Sequence, residues 1–361
     1  MEELLVELNS RIGEHTIAEI LSEPATWQDC LQRLEPTGEL RSLSEKLPRM
    51  IESVCIGCGS SFYLAQAAAA SWSILTGEKA RAVPASEVLL FPQTFPAPCQ
   101  PVLISRSGHT SEAVEAAEYL EGKLGVRTLA ITCGKDTPIQ KVAAHCILLP
   151  DADERSTVMT RSFTSMLLVL QSLAATRGNR RDFLDGLRKL PDQVAARLNE
   201  THETVKSLVK QHTFADYVFL GQGPFFGIAQ ESMLKVKEMS CSYAQSFHTL
   251  EFRHGPKAIV SPETLITFIL SESGFDAEVS VLEEIKALGG KTFAITNSAN
   301  AAVRCSADYL VELSLDAPEV ARAAASVIPG QLLGFYTGLK KGLNPDEPRN
   351  LSRVVMLQNG E

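Results

Sequence analysis

Glu231, Lys235 and Glu238 stand at i, i+4 and i+7, so a helix through them brings two carboxylates and an amine onto one face. Ala229, Met233 and Val236 fall on a neighbouring face, as a core-packing stripe would. Farther on, Glu251, Arg253 and His254 precede Gly255-Pro256, which stops the segment. A carboxylate, an amine and an imidazole in so short a stretch can carry proton transfer. The same spacing also describes a solvated, salt-bridged helix followed by a histidine in a turn.

A second group of residues suits an anion. The apolar run PVLIS reads as a strand, Ser105-Arg106-Ser107-Gly108-His109-Thr110 as a tight turn, and TSEAVEAAEYLEGKL as a helix. Free N–H groups and the dipole at such a helix start favour negative charge. Hydroxyls around a glycine form a cup suited to a phosphomonoester, although Ser107 or Thr110 could serve only as an N-cap. Ser60-Ser61 offers another hydroxyl pair at the neighbouring strand end. Gly57-x-Gly59 invites a dinucleotide reading, which fails. Phe62 replaces the third glycine, and the strand Lys79–Val83 carries no acid to hold a ribose.

Strands and helices must hold these groups, and they alternate along the chain. Helices are expected over ELLVELNSRI, HTIAEIL and ATWQDCLQRL, with Pro24 as a break. Then come the strand ESVCIGCG, an alanine-rich helix, the strand KARAV, PVLIS with its turn and helix, the strands VRTLAIT and HCILLP, and the helix RSFTSMLLVLQSLAA. This is the pattern of a parallel sheet covered on both faces, an α/β fold. The loop Glu154–Arg161 precedes a helix and could close over a substrate.

The order repeats. A shift of 164 carries Gly57, Gly59, Ala65 and Gln66 onto Gly221, Gly223, Ala229 and Gln230, and GVRTLAIT at 125–132 onto GGKTFAIT at 289–296. SRSG at 105–108 meets SESG at 271–274 after a shift of 166. Such self-similarity predicts duplicated domains: a helical lead-in at 1–34, domains at 35–180 and 200–350, the polar helical segment RRDFLDGLRKLPDQVAARLNE between them, and a tail at 343–361. In the second half Pro224-Phe225 and Glu272 replace Ser60-Ser61 and Arg106, and a carboxylate there repels phosphate. The first half is therefore expected to hold phosphate and the second to supply acid–base groups.

Bulk properties exclude other classes. The 361 residues are 45% hydrophobic and 21% charged, and the formal net charge is −9. No basic footprint for nucleic acid or an anionic membrane is present. MEELLVELNS lacks a signal peptide's basic start, and Met166–Leu173 is too short to span a bilayer, so the cytoplasm is expected. Eight scattered cysteines, including the isolated Cys55-Ile-Gly-Cys58 pair, read as buried thiols in a reducing compartment. His109 and His248 read as structural or solvated, because no ligand cluster accompanies either. No metal site is expected.

CGSS at 58–61, SRSGHT at 105–110, LKVKE at 234–238, HGP at 254–256 and PDEPRNLS at 345–352 resemble the sugar isomerase (SIS) family, most closely the isomerase part of glucosamine-6-phosphate synthase and its stand-alone relatives. The resemblance implies two tandem flavodoxin-like αβα sandwiches associated as a homodimer with a shared active site. It implies that Ser60, Ser61, Ser105, Ser107 and Thr110 cradle a sugar phosphate, with Arg106 contributing backbone. It makes Glu238 the base between C1 and C2, Lys235 its companion one turn earlier, and His254 the ring-opening residue, supplied from the neighbouring subunit. The tail, with Ser352 and Arg353, lies over the site, and no cofactor is implied.

Two departures redirect the expected reaction. No glutaminase domain or N-terminal cysteine precedes the unit, and Arg353 stands where the family carries an imine-forming lysine. Arginine stays protonated and cannot serve as that amine. Conversion of glucosamine 6-phosphate to fructose 6-phosphate and ammonia is therefore expected. A fructosamine-6-phosphate deglycase, a plain aldose–ketose isomerase and a non-catalytic sugar-phosphate sensor remain as alternatives.

Overall fold

Short apolar runs such as Cys99–Ile104, Leu129–Thr132 and Thr264–Ile269 become strands buried on both faces, as the interior of a parallel sheet requires. A computed structural model describes residues 12–49, 51–95 and 98–356. The helix expected over ELLVELNSRI and the last residues of the tail lie outside the described residues. The first sheet contains β1 (Glu52–Gly57), β2 (Ala80–Pro84), β3 (Cys99–Ile104), β4 (Leu129–Thr132) and β5 (His145–Leu148) in the order β2-β1-β3-β4-β5. The second contains β6 (Asp216–Gly221), β7 (Tyr243–His248), β8 (Thr264–Ile269), β9 (Lys291–Thr296) and β10 (Tyr309–Glu312) in the order β10-β9-β8-β6-β7. Every pairing is parallel. Read from the other edge, the second sheet repeats the first. Both have the doubly wound, flavodoxin-like order that the family resemblance implies.

The chain forms two compact units. One contains Ala25–Glu154, Arg161–Pro191 and 352–356, around the first sheet; the other contains Asp192–Leu351, Arg155–Thr160 and 12–24, around the second. Ile56, Leu103 and Ala130 anchor the first core, and Leu220, Phe268 and Ala294 the second, all fully buried.

The break expected at Pro24 is present: one helix ends at Leu21 and the next, Glu23–Leu34, carries Pro24 in its first turn, where a missing N–H costs nothing. Local structure departs from the sequence reading in two places. The helix after SRSGHT is α-helical only over Ser111–Glu118, then widens into a π-turn at Tyr119–Lys123. Tyr243–His248 is an edge strand in a stretch whose apolar pattern predicts none. The loop after Glu154 is tied down: Glu19 accepts from the Ser156 hydroxyl and the Arg155 and Ser156 N–H groups, and Thr157 N–H donates to Asp346 O at 3.1 Å.

In the second unit the helix Pro224–Ser240, which carries Lys235 and Glu238, lies against Ala323–Lys340. Gly330, Gly334 and Gly338 make that approach possible. A Cβ on Gly330 would sit 2.3 Å from Ser232 Oγ, one on Gly334 2.6 Å from Lys235 O, and one on Gly338 2.3 Å from Met239 O. The final helix therefore rests on the backbone of the helix that bears the ionisable cluster. Gly334→Ala must push that backbone away and should lower the unfolding free energy by about 1–3 kcal/mol. Denaturant unfolding checks this, and an unchanged midpoint would contradict it.

Candidate functional site

In an open parallel sheet, ligands bind beyond the carboxyl ends of the strands where the strand order reverses. In the first unit that point lies between β1 and β3. Ser60 and Ser61 follow β1 at the start of the helix Ser60–Thr76, and SRSGHT follows β3. Ser105 Oγ accepts from Gly108 N–H at 3.1 Å, and Ser107 Oγ from His109 N–H at 3.1 Å. Gly108 has φ 67°, and a Cβ there would lie 2.4 Å from Thr137 Oγ1. Thr110 is the N-cap of Ser111–Glu118, yet its side chain makes no cap hydrogen bond. Among the described residues, the Thr110 hydroxyl and the Ser107 N–H have no protein partner. The Arg106 side chain is buried and turned aside, with Nη1 3.5 Å from Glu154 and Nη2 donating to Arg353 O at 3.0 Å.

The corresponding turn in the second unit is built the same way and filled from within. Gly274 N–H donates to Ser271 Oγ at 2.9 Å, matching Gly108 and Ser105. Glu319 Oε1 then accepts from the N–H groups of Glu272 (2.6 Å) and Ser273 (3.1 Å), and Oε2 from the Ser273 hydroxyl (2.6 Å). Glu278 accepts from Ser271 N–H (2.9 Å) and Oγ (2.8 Å). Arg322 pairs with Glu272 at 2.7 Å. An internal carboxylate thus occupies N–H groups equivalent to those of Arg106 and Ser107. The sequence reading missed Glu319, whose position 46 residues beyond Ser273 gave no pairing signal.

The helix Pro224–Ser240 carries the ionisable cluster. Lys235 Nζ lies 3.2 Å from Glu231 Oε1 and bonds Glu238 Oε2. Glu231 and Lys235 side chains are fully buried, while Glu238 keeps 18% of its side chain exposed. Burial disfavours the ammonium, but Glu231 and Glu238 outweigh it and hold the Lys235 pKa above the usual lysine range. Lys235 is therefore a fixed cation and not an amine free to attack.

His254 is not joined to this cluster by any hydrogen bond or ion pair. Its exposed imidazole sits on a loop held from three sides. Phe252 is buried in the core, Arg253 Nε pairs with Glu284 at 2.8 Å, and Lys257 Nζ pairs with the same carboxylate at 2.5 Å. His248 stacks on Phe226 with ring centroids 3.7 Å apart, and the exposed His109 places Nδ1 2.8 Å from Ser107 O.

In the tail, Arg353 pairs with Asp153 at 2.6 Å, Ser352 Oγ donates to Val354 O at 2.9 Å, and Val355 O accepts from Ser111 N–H at 3.3 Å. The tail therefore lies on the SRSGHT turn of its own unit. Burial pushes the thiols of Cys55 to about 12 and Cys58 to about 11. Among the described residues, no group of three or more His, Cys, Asp or Glu side chains is placed to hold a metal, and no helix is long and apolar enough to cross a membrane.

Residues 53–176 and 215–337, one segment per sheet, match the SIS domain. The chain belongs to the SIS domain family. It is 25% identical over 347 residues to the glutamine–fructose-6-phosphate aminotransferase [isomerizing] of Methanothermobacter thermautotrophicus, covering 95% of this chain and 57% of that protein. Its counterpart from Clostridium tetani is 29% identical over 271 residues, covering 71% and 44%. The chain thus spans about half the length of the curated relatives it matches. Among solved structures, glucosamine-6-phosphate deaminase from Thermotoga maritima is similar with a TM-score of 0.78 at 26% identity, covering 95% of this chain and 99% of that one. Tagatose-6-phosphate ketose/aldose isomerase from Escherichia coli shares the fold, with a TM-score of 0.81 at 23% identity, covering 95% and 96%.

The filled turn of this SIS chain has a pH signature. Burial raises the Glu278 carboxyl from 4.5 to about 6, against the two Ser271 hydrogen bonds that lower it. The folded state therefore binds this proton more tightly than the unfolded chain, so ionising Glu278 removes stability as pH rises through that interval. The loss is on the order of 2 kcal/mol. Denaturant unfolding at about pH 4 and about pH 7 should show wild type losing that much relative to Glu278→Gln, and parallel profiles would contradict it.

Proposed function

We propose that this chain is a sugar-phosphate isomerase acting as an amino-sugar deaminase, taking glucosamine 6-phosphate and water to fructose 6-phosphate and ammonia. The observation that carries the reading is the difference between the repeated turns. Glu319 fills the second turn with a carboxylate, whereas in the first the Ser107 N–H and Thr110 hydroxyl have no protein partner among the described residues. An external phosphate is the natural occupant, with Ser60, Ser61 and Ser105 completing the cradle. Similarity to the Thermotoga maritima deaminase, which covers nearly all of both chains, supports the amino sugar as substrate.

Glu238 supplies the base. It is the one carboxylate of its cluster that meets solvent, and Lys235 fixes its position. His254 assists opening of the ring to the aldehyde. Glu238 then takes the proton from C2, the freed electron pair forms the C1–C2 double bond, and the C1 carbonyl π pair moves onto its oxygen, which takes up a proton to give an enolamine. Return of the proton to C1 leaves an imine at C2, which water hydrolyses to the ketone with release of ammonia. Arg353 provides no imine-forming amine, and its guanidinium is engaged by Asp153.

The exposure of the His254 imidazole, which has no hydrogen-bond or ion-pair partner among the described residues, supports a second reading within this one, that it serves the site of a second copy in a homodimer. The purified protein should release ammonia and fructose 6-phosphate in equal amounts from glucosamine 6-phosphate. Glu238→Gln should slow this by about 10²–10⁴-fold with unchanged folding. Mixing Glu238→Gln with His254→Asn should restore part of the activity if the site is shared. Full activity of Glu238→Gln would refute the assignment, and a mixture as inactive as its components would refute the sharing.

A further inference from the structure

At the ends of the first sheet opposite the SRSGHT turn lies a cavity of about 730 Å³ that is open to solvent. It is lined where strands begin: Cys99 and Gln100 open β3, Val126 and Arg127 precede β4, and His145 opens β5. Leu47, Pro48, Pro98 and Val126 form apolar walls, and Lys46, Arg127 and His145 supply charge and donors. No carboxylate is among the lining residues, in a chain whose formal net charge is −9. Ligands of doubly wound sheets belong at the carboxyl ends of the strands, so this cavity is separate from the proposed phosphate cradle.

The lining is braced. Gln100 Nε2 donates to Arg127 O at 3.3 Å, fixing the backbone that carries the guanidinium. Glu121 Oε1 accepts from Thr128 N–H (2.6 Å) and Oγ1 (2.8 Å) and from Ala144 N–H (3.0 Å), which holds the residues next to Arg127 and His145 together. Neither Lys46 nor Arg127 has an ion-pair partner among the described residues. The volume falls in the range of small-molecule sites, whose mark is an apolar lining with a few convergent polar groups.

We propose that this cavity is a second binding site, for a small organic phosphate whose anionic group is held by Lys46, Arg127 and His145 and whose body rests on Leu47, Pro48, Pro98 and Val126. The His145 imidazole is held below its ordinary pKa by burial first, then by Arg127 and Lys46, with Glu121 acting the other way. A bound phosphate neutralises those two cations and reverses that part of the shift.

Phenyl phosphate, which carries a phosphate on an apolar ring, is the probe. Proton NMR of the His145 ring, identified by its loss in His145→Asn, is followed during titration of the full chain. The expected result is a saturable shift with the His145 titration moved upward, abolished in the Lys46→Gln/Arg127→Gln variant and retained in Ser107→Ala. Both substituted side chains are exposed, so the double variant should fold normally. Absence of saturation, an equal shift in the double variant, or loss of the shift in Ser107→Ala would each overturn the proposal.

Discussion

A lysine ammonium with no exposed surface lies buried in the second unit, and removing such an ion from water costs several kcal/mol unless it is paired. Glu231 and Glu238 flank Lys235 on adjacent turns of one helix and meet that cost. The three charges sum to −1, and only Glu238 reaches solvent. The buried pair fixes the remaining carboxylate in place while leaving it in contact with solvent, as the proposed base requires. The glycine stripe of the final helix holds the backbone of the same helix, because Gly334 approaches the Lys235 carbonyl too closely for a side chain to intervene.

The duplicated halves have diverged at their equivalent turns. Two turns with the same serine, the same glycine and the same internal hydrogen bond now have different occupants. In the second unit Glu319 satisfies the N–H groups and Arg322 neutralises Glu272, which makes that turn part of the scaffold. In the first, Arg106 is drawn aside to Glu154 and to the tail carbonyl of Arg353, so its charge braces the turn from behind. A cup that keeps backbone donors and hydroxyls suits a phosphate, and the second unit, with its carboxylates, suits proton transfer.

Much of this was legible in the residues. Alternating strands and helices and the shift of 164 specified two doubly wound sheets, and i, i+4, i+7 spacing put Glu231, Lys235 and Glu238 together. The strand Tyr243–His248 was missed because Gln245 and Ser246 interrupt its apolar pattern and Tyr243 is 61% exposed, as suits an edge. The repeat could have found it, since the same shift carries Ala80–Pro84 onto Ala244–His248. Contacts between distant segments had no such signal. The pairing of Arg353 with Asp153, the bracing of the His254 loop on Glu284 and the filling of the second turn by Glu319 depend on folded geometry that spacing does not encode. The glycines at 330, 334 and 338 were visible as a period of four, but their reason was the backbone they touch.

The account stands on Glu238 moving a proton between neighbouring carbons, and isotope exchange tests that directly. Fructose 6-phosphate incubated with the protein in deuterium oxide should acquire deuterium at C1, read by NMR, because the enediol formed from the open chain is reprotonated from a base in contact with solvent. The account predicts incorporation in wild type and its loss in Glu238→Gln. Incorporation at the same rate in both would contradict it.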